Sequence, residues 1–421
     1  KTSYFCIQLN ETMKFQDYTF CSEIKQNLEE LGYKKPTDIQ YKAIPSILQG
    51  EDVLAIAQTG TGKTAAFVIP IIEILHNRTR KSRQPHIQCV IMEPTRELVI
   101  QTARVCNTLA KNTTIKTLGL FGGVEQDPQI AVLTKGVSIL VATPGRLFDL
   151  ISQGYVSLQQ LKILVVDEAD HMLDLGFIED IKQLLRHIPR YRQTLFFSAT
   201  ITPQIKDLAY SLVHKPVRIQ ISPKDPVSKN VDHYVAFIEM DDKRFFLEQF
   251  IKEHQENKIL VFVRTKVRAE RVKAAMARVQ IHTETIHGDK PQKERNHIMK
   301  EFAAGTIQIL IATDISARGI DIPNIDYVIN YDMPEDAENY VHRIGRTGRG
   351  TKRGSSIWFC SESEKELLTH IEEFISKKIT VIDIDKQTYK QTILQSIDTS
   401  TPLQDILKEI EYIDSKRKKK K

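Results

Sequence analysis

The stretch Ala57-Gln58-Thr59-Gly60-Thr61-Gly62-Lys63-Thr64 constrains this chain more than any other. It follows the apolar run Val53-Leu54-Ala55-Ile56 and precedes Ala65-Ala66-Phe67-Val68-Ile69, which spells buried strand, glycine-rich turn and helix start. That order builds a phosphate cradle. Glycines let successive backbone N–H groups turn inward, and the helix N-terminus adds the positive end of its dipole. Thr59, Gly60, Thr61 and Gly62 would line the cradle, with Lys63 reaching the β- and γ-phosphates and the Thr64 hydroxyl on Mg²⁺. The general pattern begins with Gly where this chain has Ala57. A glycine-rich turn that merely ends a strand is the alternative, but the Gly-Lys-Thr ending between these flanks favours a bound nucleoside triphosphate.

From Val53 onward apolar strands alternate with amphipathic helices. Strands are expected near 89–93, 117–120, 139–142, 163–167, 194–198 and 217–221, and continuous apolar strands of this kind belong to a parallel sheet covered on both faces. Residues 222–230 hold two prolines and almost nothing apolar, so they read as a linker. The alternation then restarts near 234–238, 259–263, 283–286, 307–312, 327–330 and 356–359, as a structural repeat without a Gly-Lys-Thr of its own. One nucleotide per chain is expected. The organisation read from this pattern is an upstream or tag-derived segment at 1–12, a nucleotide-binding domain over 13–221, the linker, a second domain over 231–374 and an extension over 375–421. Within the extension a short strand is expected near 379–384 and a helix near 403–413.

Other clusters fall at strand ends, where ligands of open parallel sheets bind. Asp167-Glu168-Ala169-Asp170 follows the strand Ile163-Leu164-Val165-Val166, so one carboxylate can hold Mg²⁺ and its neighbour can activate an attacking water. Ser198-Ala199-Thr200 offers two hydroxyls that could serve those carboxylates or cap the next helix. In His342-Arg343-Ile344-Gly345-Arg346-Thr347-Gly348-Arg349 three arginines stand among glycines, a pattern suited to neutralising a transferring phosphoryl group.

Charge and cysteine usage narrow the classes further. Of 59 basic residues, six form the terminal run Lys416-Arg417-Lys418-Lys419-Lys420-Lys421, and without them 53 basic residues face 53 acidic ones. Such a tail adds salt-dependent affinity for nucleic acid, or is simply solvated. The five cysteines are scattered without a Cys-x-x-Cys pair, so neither a disulfide framework nor a zinc site is expected. No apolar run is long enough to span a bilayer, and a cytoplasmic protein with no membrane association is expected.

Taken together, these motifs resemble the DEAD-box ATP-dependent RNA helicases of superfamily 2, most closely the bacterial RhlE-type branch. The resemblance extends over residues 15–359 and rests on Ala57 to Thr64, Pro94-Thr95-Arg96-Glu97-Leu98, Gly122-Gly123, Thr143-Pro144-Gly145-Arg146, Asp167 to Asp170 and Ser198 to Thr200. In the second half it rests on Val261 to Thr265, Gln292 with Arg295, Thr313-Asp314 through Arg318-Gly319-Ile320-Asp321, and His342 to Arg349. Ala57 in place of Gly is the family's own habit.

The resemblance implies an α/β fold of two tandem RecA-like domains, ATP with Mg²⁺, and roles for matching positions. Phe15, Tyr33 and Gln40 would read adenine. Lys63, Thr64 and Asp167 would hold phosphates and metal, with Glu168 as general base. Ser198 and Thr200 would couple hydrolysis to strand separation through the acidic cluster. Arg346 and Arg349 would act as arginine fingers, and Gly319 and Asp321 would lie at the nucleotide, with Asp321 on the ribose. RNA would be gripped by Thr95, Arg96, Gly123, Thr143, Gly145 and Arg146 on the first domain, and by Arg264, Thr265, Gln292, Arg295 and Thr313 on the second. Such contacts reach the backbone without reading bases, so binding independent of sequence, by a monomer, is expected. Asp38 and Val99 depart from the family's usual proline and alanine, at positions with no assigned polar contact. An ATP-gated RNA clamp and a DNA helicase of the same superfamily are the rival readings.

Overall fold

Short runs of β-branched and other apolar residues, buried on both faces, become the strands of two parallel sheets. The computed structural model describes residues 13–57, 60–79, 86–221, 230–314, 325–334, 337–348, 353–375 and 377–396. The chain divides into two units, Lys1–Pro223 and Lys224–Lys421. The first holds β1 (Val53–Ala57), β2 (Cys89–Met92), β3 (Thr117–Leu120), β4 (Ile139–Ala142), β5 (Ile163–Val166), β6 (Gln193–Ser198) and β7 (Val217–Ile221). The second holds β8 (Val231–Phe237), β9 (Ile259–Val263), β10 (Glu284–Ile286), β11 (Ile309–Thr313), β12 (Tyr327–Asn330), β13 (Gly354–Cys360) and β14 (Thr380–Ile382).

Strand order is β3-β4-β2-β5-β6-β1-β7 in the first sheet and β10-β11-β9-β12-β13-β8-β14 in the second, so the second order is the first with every label raised by seven. All the pairings are parallel. Successive side chains of a strand point to opposite faces. Thus Val53, Ala55 and Ala57 enter one core with Phe67 and Phe197, while Leu54 enters the other with Phe196 and Ile205. In the second sheet Ile259, Val261 and Val263 face one core, and Leu260 and Phe262 the opposite one. These are two α/β units of the RecA-like kind that the motifs imply.

The differences from expectation are local. β2 stops at Met92 and β5 at Val166, so Glu93 and Asp167 stand just past the strand ends. After β13 a 3-10 turn, Glu362–Glu364, leads into the helix Lys365–Ile375. β14 lies beyond residue 374 yet completes the second sheet against β8, so the second unit extends past its expected boundary. The helix Lys386–Gln395 was not expected: Thr392 is its buried residue, too little for an apolar period. Asp385 starts it by accepting from Gln387 N and Thr388 N. Residues 1–12, the linker over 222–229, the helix expected near 403–413 and the basic tail lie outside the described residues.

Val99 is fully buried, and a Cβ on Gly119 of β3 would come within 3.0 Å of its Cγ1. The larger side chain at 99 thus fills space over a glycine. Asp38 opens the helix Asp38–Leu48, where a carboxylate suits the dipole.

Lys243 opens the helix Lys243–Glu253 and is fully buried, with Nζ 2.6 Å from Glu364 Oε2 and donating to Tyr331 O at 2.9 Å. Removing one partner strands a buried charge. Lys243→Met should therefore destabilise the chain by about 3–5 kcal/mol, with the double substitution Lys243→Met/Glu364→Gln recovering part of the loss. Urea denaturation of the three proteins checks this.

Candidate active site and nucleic-acid face

The turn after β1 needs backbone that only glycine adopts easily. Gly60 and Gly62 have φ of +82° and +92°, and a Cβ on Gly62 would sit 2.6 Å from Gln40 Nε2 and 3.2 Å from Thr37 Oγ1. Gln40 is buried against this turn. Its Nε2 donates to Gly62 O at 3.2 Å, and its Oε1 accepts from Thr37 N at 2.9 Å as part of the cap of the helix Asp38–Leu48. An amide retains a second donor and a second acceptor site, so Gln40 can hold the turn and still meet a base edge.

Phe15 corrects an expectation. Its ring is 1 % exposed and belongs to the core, 5.7 Å edge-on from Tyr33, so it supports Tyr33 and has no free face for a base. Tyr33, half-buried, is the aromatic left at the surface of this segment.

Lys63, the first residue of the helix Lys63–Thr79, places Nζ 3.0 Å from Glu168 Oε1, with both side chains buried. Burial alone would lower the lysine's pKa, but Glu168, Asp167 and Asp170 outweigh it and hold the ammonium above its ordinary range. Asp167 N donates to Met92 O at 3.1 Å, and Asp167 Oδ1 accepts from Glu168 N at 2.9 Å. Burial pushes the Asp167 carboxyl up to about 7 against the opposing pull of Lys63, with Glu168 adding to the rise. Glu168 itself is left-handed, φ +48° and ψ +49°, strain of about 1–2 kcal/mol that turns β5 directly into the helix Ala169–Asp174.

Asp170 ties β6 to this cluster. Its Oδ2 accepts from Ala199 N and Thr200 N at 3.0 Å each and from Thr200 Oγ1 at 3.3 Å. The Ser198 hydroxyl, by contrast, is buried with no hydrogen-bond partner, so only Thr200 of the expected pair reaches the carboxylates. The helix that follows is capped by neither: Thr202 Oγ1 accepts from Ile205 N.

A fourth carboxyl group escaped the sequence reading. Glu93 is fully buried and accepts from Thr102 Oγ1 at 2.7 Å. Burial, then Asp167, pushes its carboxyl well above the usual range, and Glu168 adds to the shift. The available signal was an acidic residue placed directly after the all-apolar strand Cys89–Met92. Four buried carboxyl groups thus share one buried ammonium, and burial is the main reason the Asp167 carboxyl stands high.

On the presumed RNA face, Thr95 caps the helix Arg96–Leu109, its Oγ1 accepting from Leu98 N. The Arg96 guanidinium lies against Gly123, where an added Cβ would meet Nη1 at 2.2 Å. Thr143 and Gly145 open the helix Pro144–Ser152, and Arg146 Nη2 donates to Val124 O at 2.9 Å. In the second unit Thr265 repeats the part of Thr95, capping Lys266–Arg278 through Arg268 N. Arg264 N donates to Asp332 Oδ2, Thr313 ends β11, and Gln292 and Arg295 lie in the first turn of Gln292–Ala304. Arg346 is buried, its Nε donating to His342 O at 3.3 Å. Arg343 is the arginine of this cluster that anchors the fold, pairing bidentately with Asp314 at 2.6 and 2.7 Å. Thr59, Gly319, Asp321 and Arg349 lie outside the described residues.

Two outcomes follow from this geometry. Gly62→Ala should weaken ATP binding by about tenfold or more, because φ and the Gln40 contact both oppose a side chain; isothermal titration measures it. A carboxyl raised to about 7 makes the folded state hold a proton that the unfolded chain gives up near the ordinary aspartate value of 3.8. Stability from this group is therefore full below about pH 4 and falls as pH rises to about 7. In chelator-treated, nucleotide-free protein, Asp167→Asn should melt higher than the parent at about pH 8 and lose less stability between about pH 5 and pH 8. Thermal melts at both pH values check it.

Comparisons with known proteins agree with this arrangement. Residues 37–208 match the DEAD/DEAH box helicase family and residues 242–351 match the helicase conserved C-terminal domain. The ATP-dependent RNA helicase RhlB of Shewanella woodyi is 40 % identical over 380 residues, covering 89 % of this chain and 86 % of the relative. The protein of that name from Shewanella frigidimarina is 40 % identical over 381 residues, covering 89 % and 87 %. These relatives are named RhlB, not RhlE, so the RhlE-type branch finds no support in them. Among solved structures, S. cerevisiae Dbp5 bound to RNA and ADP BeF3 shares 27 % identity at a TM-score of 0.78, covering 90 % of this chain and 99 % of that one. The DEAD-box helicase Mss116 bound to ssRNA and UDP-BeF shares 27 % at 0.79, covering 96 % and 86 %. With both helicase segments matched in chain order and relatives at 40 % identity over most of the length, the chain belongs to the DEAD/DEAH box helicase family.

Proposed function

We propose that this ATP-dependent RNA helicase couples RNA binding to hydrolysis by exchanging the partner of one buried lysine. The observation that carries the reading is the 3.0 Å Lys63–Glu168 pair. Here Lys63 neutralises the residue best placed to act as base. A triphosphate in the turn after β1 would draw Lys63 to its phosphate oxygens and leave Glu168 free to orient and deprotonate water. Asp167 and Thr64 would hold Mg²⁺, which when bound offsets charge on the phosphates. Tyr33 would stack on adenine while Gln40 meets its edge. Arg346 and Arg349, carried by the second unit, would neutralise the transferring group, so turnover would require closure of the two units.

RNA held by both units would favour that closed state and so raise the rate of hydrolysis. Thr95, Arg96, Gly123, Thr143, Gly145 and Arg146 would grip it on one side, and Arg264, Thr265, Gln292, Arg295 and Thr313 on the other. Hydroxyls, arginines and bare backbone in these positions favour backbone contact over base reading. Asp170, through its bonds to Ala199 and Thr200, would pass the state of the carboxylate cluster to the loop after β6. A monomer is sufficient for all of this. Among the described residues no helix is long and apolar enough to cross a membrane.

Glu168→Gln should still bind ATP and RNA while RNA-stimulated turnover falls by about 10²–10⁴-fold. Phosphate release with RNA, with DNA and without nucleic acid, together with displacement of a labelled RNA duplex strand, tests the reading. Near-normal turnover by the variant would remove Glu168 as base, and equal stimulation by DNA would remove the RNA preference.

A further inference from the structure

Away from the nucleotide and RNA residues, three potential ligands converge from two elements. Cys21 immediately precedes the helix Ser22–Glu30, Glu23 stands in that helix's first turn, and His76 lies near the end of the helix that begins at Lys63. One ligand atom from each lies within 4.8 Å of the others. His76 is 3 % exposed, and its Nε2 is buried without a hydrogen-bond partner, the nearest acceptor being Glu23 Oε1 at 3.7 Å. The other ring nitrogen meets Thr114: Nδ1 is 3.2 Å from Oγ1 and accepts from the backbone N at 3.3 Å. With Nδ1 accepting, the proton sits on Nε2 and finds no acceptor at bonding distance. A metal at Nε2 moves the proton to Nδ1, which then donates to Thr114 Oγ1 in place of accepting from Thr114 N, and the Nε2 lone pair faces Cys21 and Glu23.

We propose that Cys21, Glu23 and His76 form a Zn²⁺ site with three protein ligands. Thiolate, imidazole and carboxylate are the donors zinc takes, at about 2.0–2.3 Å each, so the three atoms need draw together by only about 1 Å. Without metal the Cys21 thiol keeps its proton, since burial pushes it up to about 11 and the Glu73 and Glu23 carboxylates add to the rise. Binding converts thiol to thiolate and releases that proton to solvent. Glu73 steadies the site from outside: Oε2 accepts from Cys21 N at 2.8 Å and Oε1 from Asn77 Nδ2 at 2.6 Å. The filled site clips the N-terminal segment, which continues to Tyr33, onto the far end of the helix that starts at Lys63. The widely spaced cysteines hid it, because the partner of Cys21 is a histidine 55 positions along the chain.

The test uses the full chain, treated with chelator and then kept in excess Mg²⁺ so that Asp167 and Thr64 do not compete for zinc. Zn²⁺ alone should bind at one equivalent and raise the melting temperature by about 5 °C or more. Cys21→Ser and His76→Gln should each weaken that binding about 100-fold and abolish the shift. Co²⁺ in place of Zn²⁺ should give a thiolate-to-metal charge-transfer band that Cys21→Ser lacks. Unchanged zinc affinity and stoichiometry in Cys21→Ser, or no thiolate band in the parent chain, would overturn the proposal. Should His76→Gln fail to fold, the serine variant and the Co²⁺ spectrum still decide it.

Discussion

The first unit is built around one buried cation among several buried anions. An ammonium and carboxylates removed from water are tolerated only when they satisfy one another. Lys63 therefore dictates much of its surroundings. It follows a glycine turn so tight that a side chain on Gly62 would strike Gln40. It requires Glu168 to face inward, and the left-handed backbone there is the strain that does it. It pulls against the burial that raises the Asp167 carboxyl, without cancelling it. Parallel strands make this concentration possible, since they end on one side of the sheet and deliver polar loops to a common edge.

The residues proposed to hold RNA show how little dedicated machinery a phosphate grip would need. Thr95 and Thr265 already serve as helix caps, each hydroxyl accepting from the backbone N–H of the third residue of its helix. Arg96 is steadied by the bare backbone of Gly123, and Arg146 by Val124 O. Groups fixed by the fold itself lose little freedom on meeting a phosphate, so the grip costs little entropy.

Most of this was legible in the chain because it is local. Short apolar runs announced most of the strands, and the turn after β1 was written in Gly60 and Gly62, one residue apart. What escaped depends on contacts between distant positions. Phe15 has the spacing of a base-stacking aromatic, but only packing shows that its ring is enclosed. Ser198 and Thr200 look alike in sequence and differ because one hydroxyl points at Asp170 and the other does not. Glu93 reads as a strand end until Asp167 and Thr102 are seen beside it. The helix Lys386–Gln395 has almost no buried face and is held by polar contacts, so no period could reveal it.

The identical strand order of the two sheets has a further meaning. Lys63 and Lys243 occupy the same slot: each opens the helix after the first strand of its sheet, each follows a five-residue turn, and each is paired with a buried glutamate. In the second unit that turn is Ile238-Glu239-Met240-Asp241-Asp242, without glycine and with three acidic residues. The backbone N–H of Glu239 donates to the Tyr389 hydroxyl, which itself donates to Asp242. The helix Lys386–Gln395 thus plugs a vestigial cradle. One topology thus places a lysine beside a glycine turn in the first half and a fully buried rivet in the second.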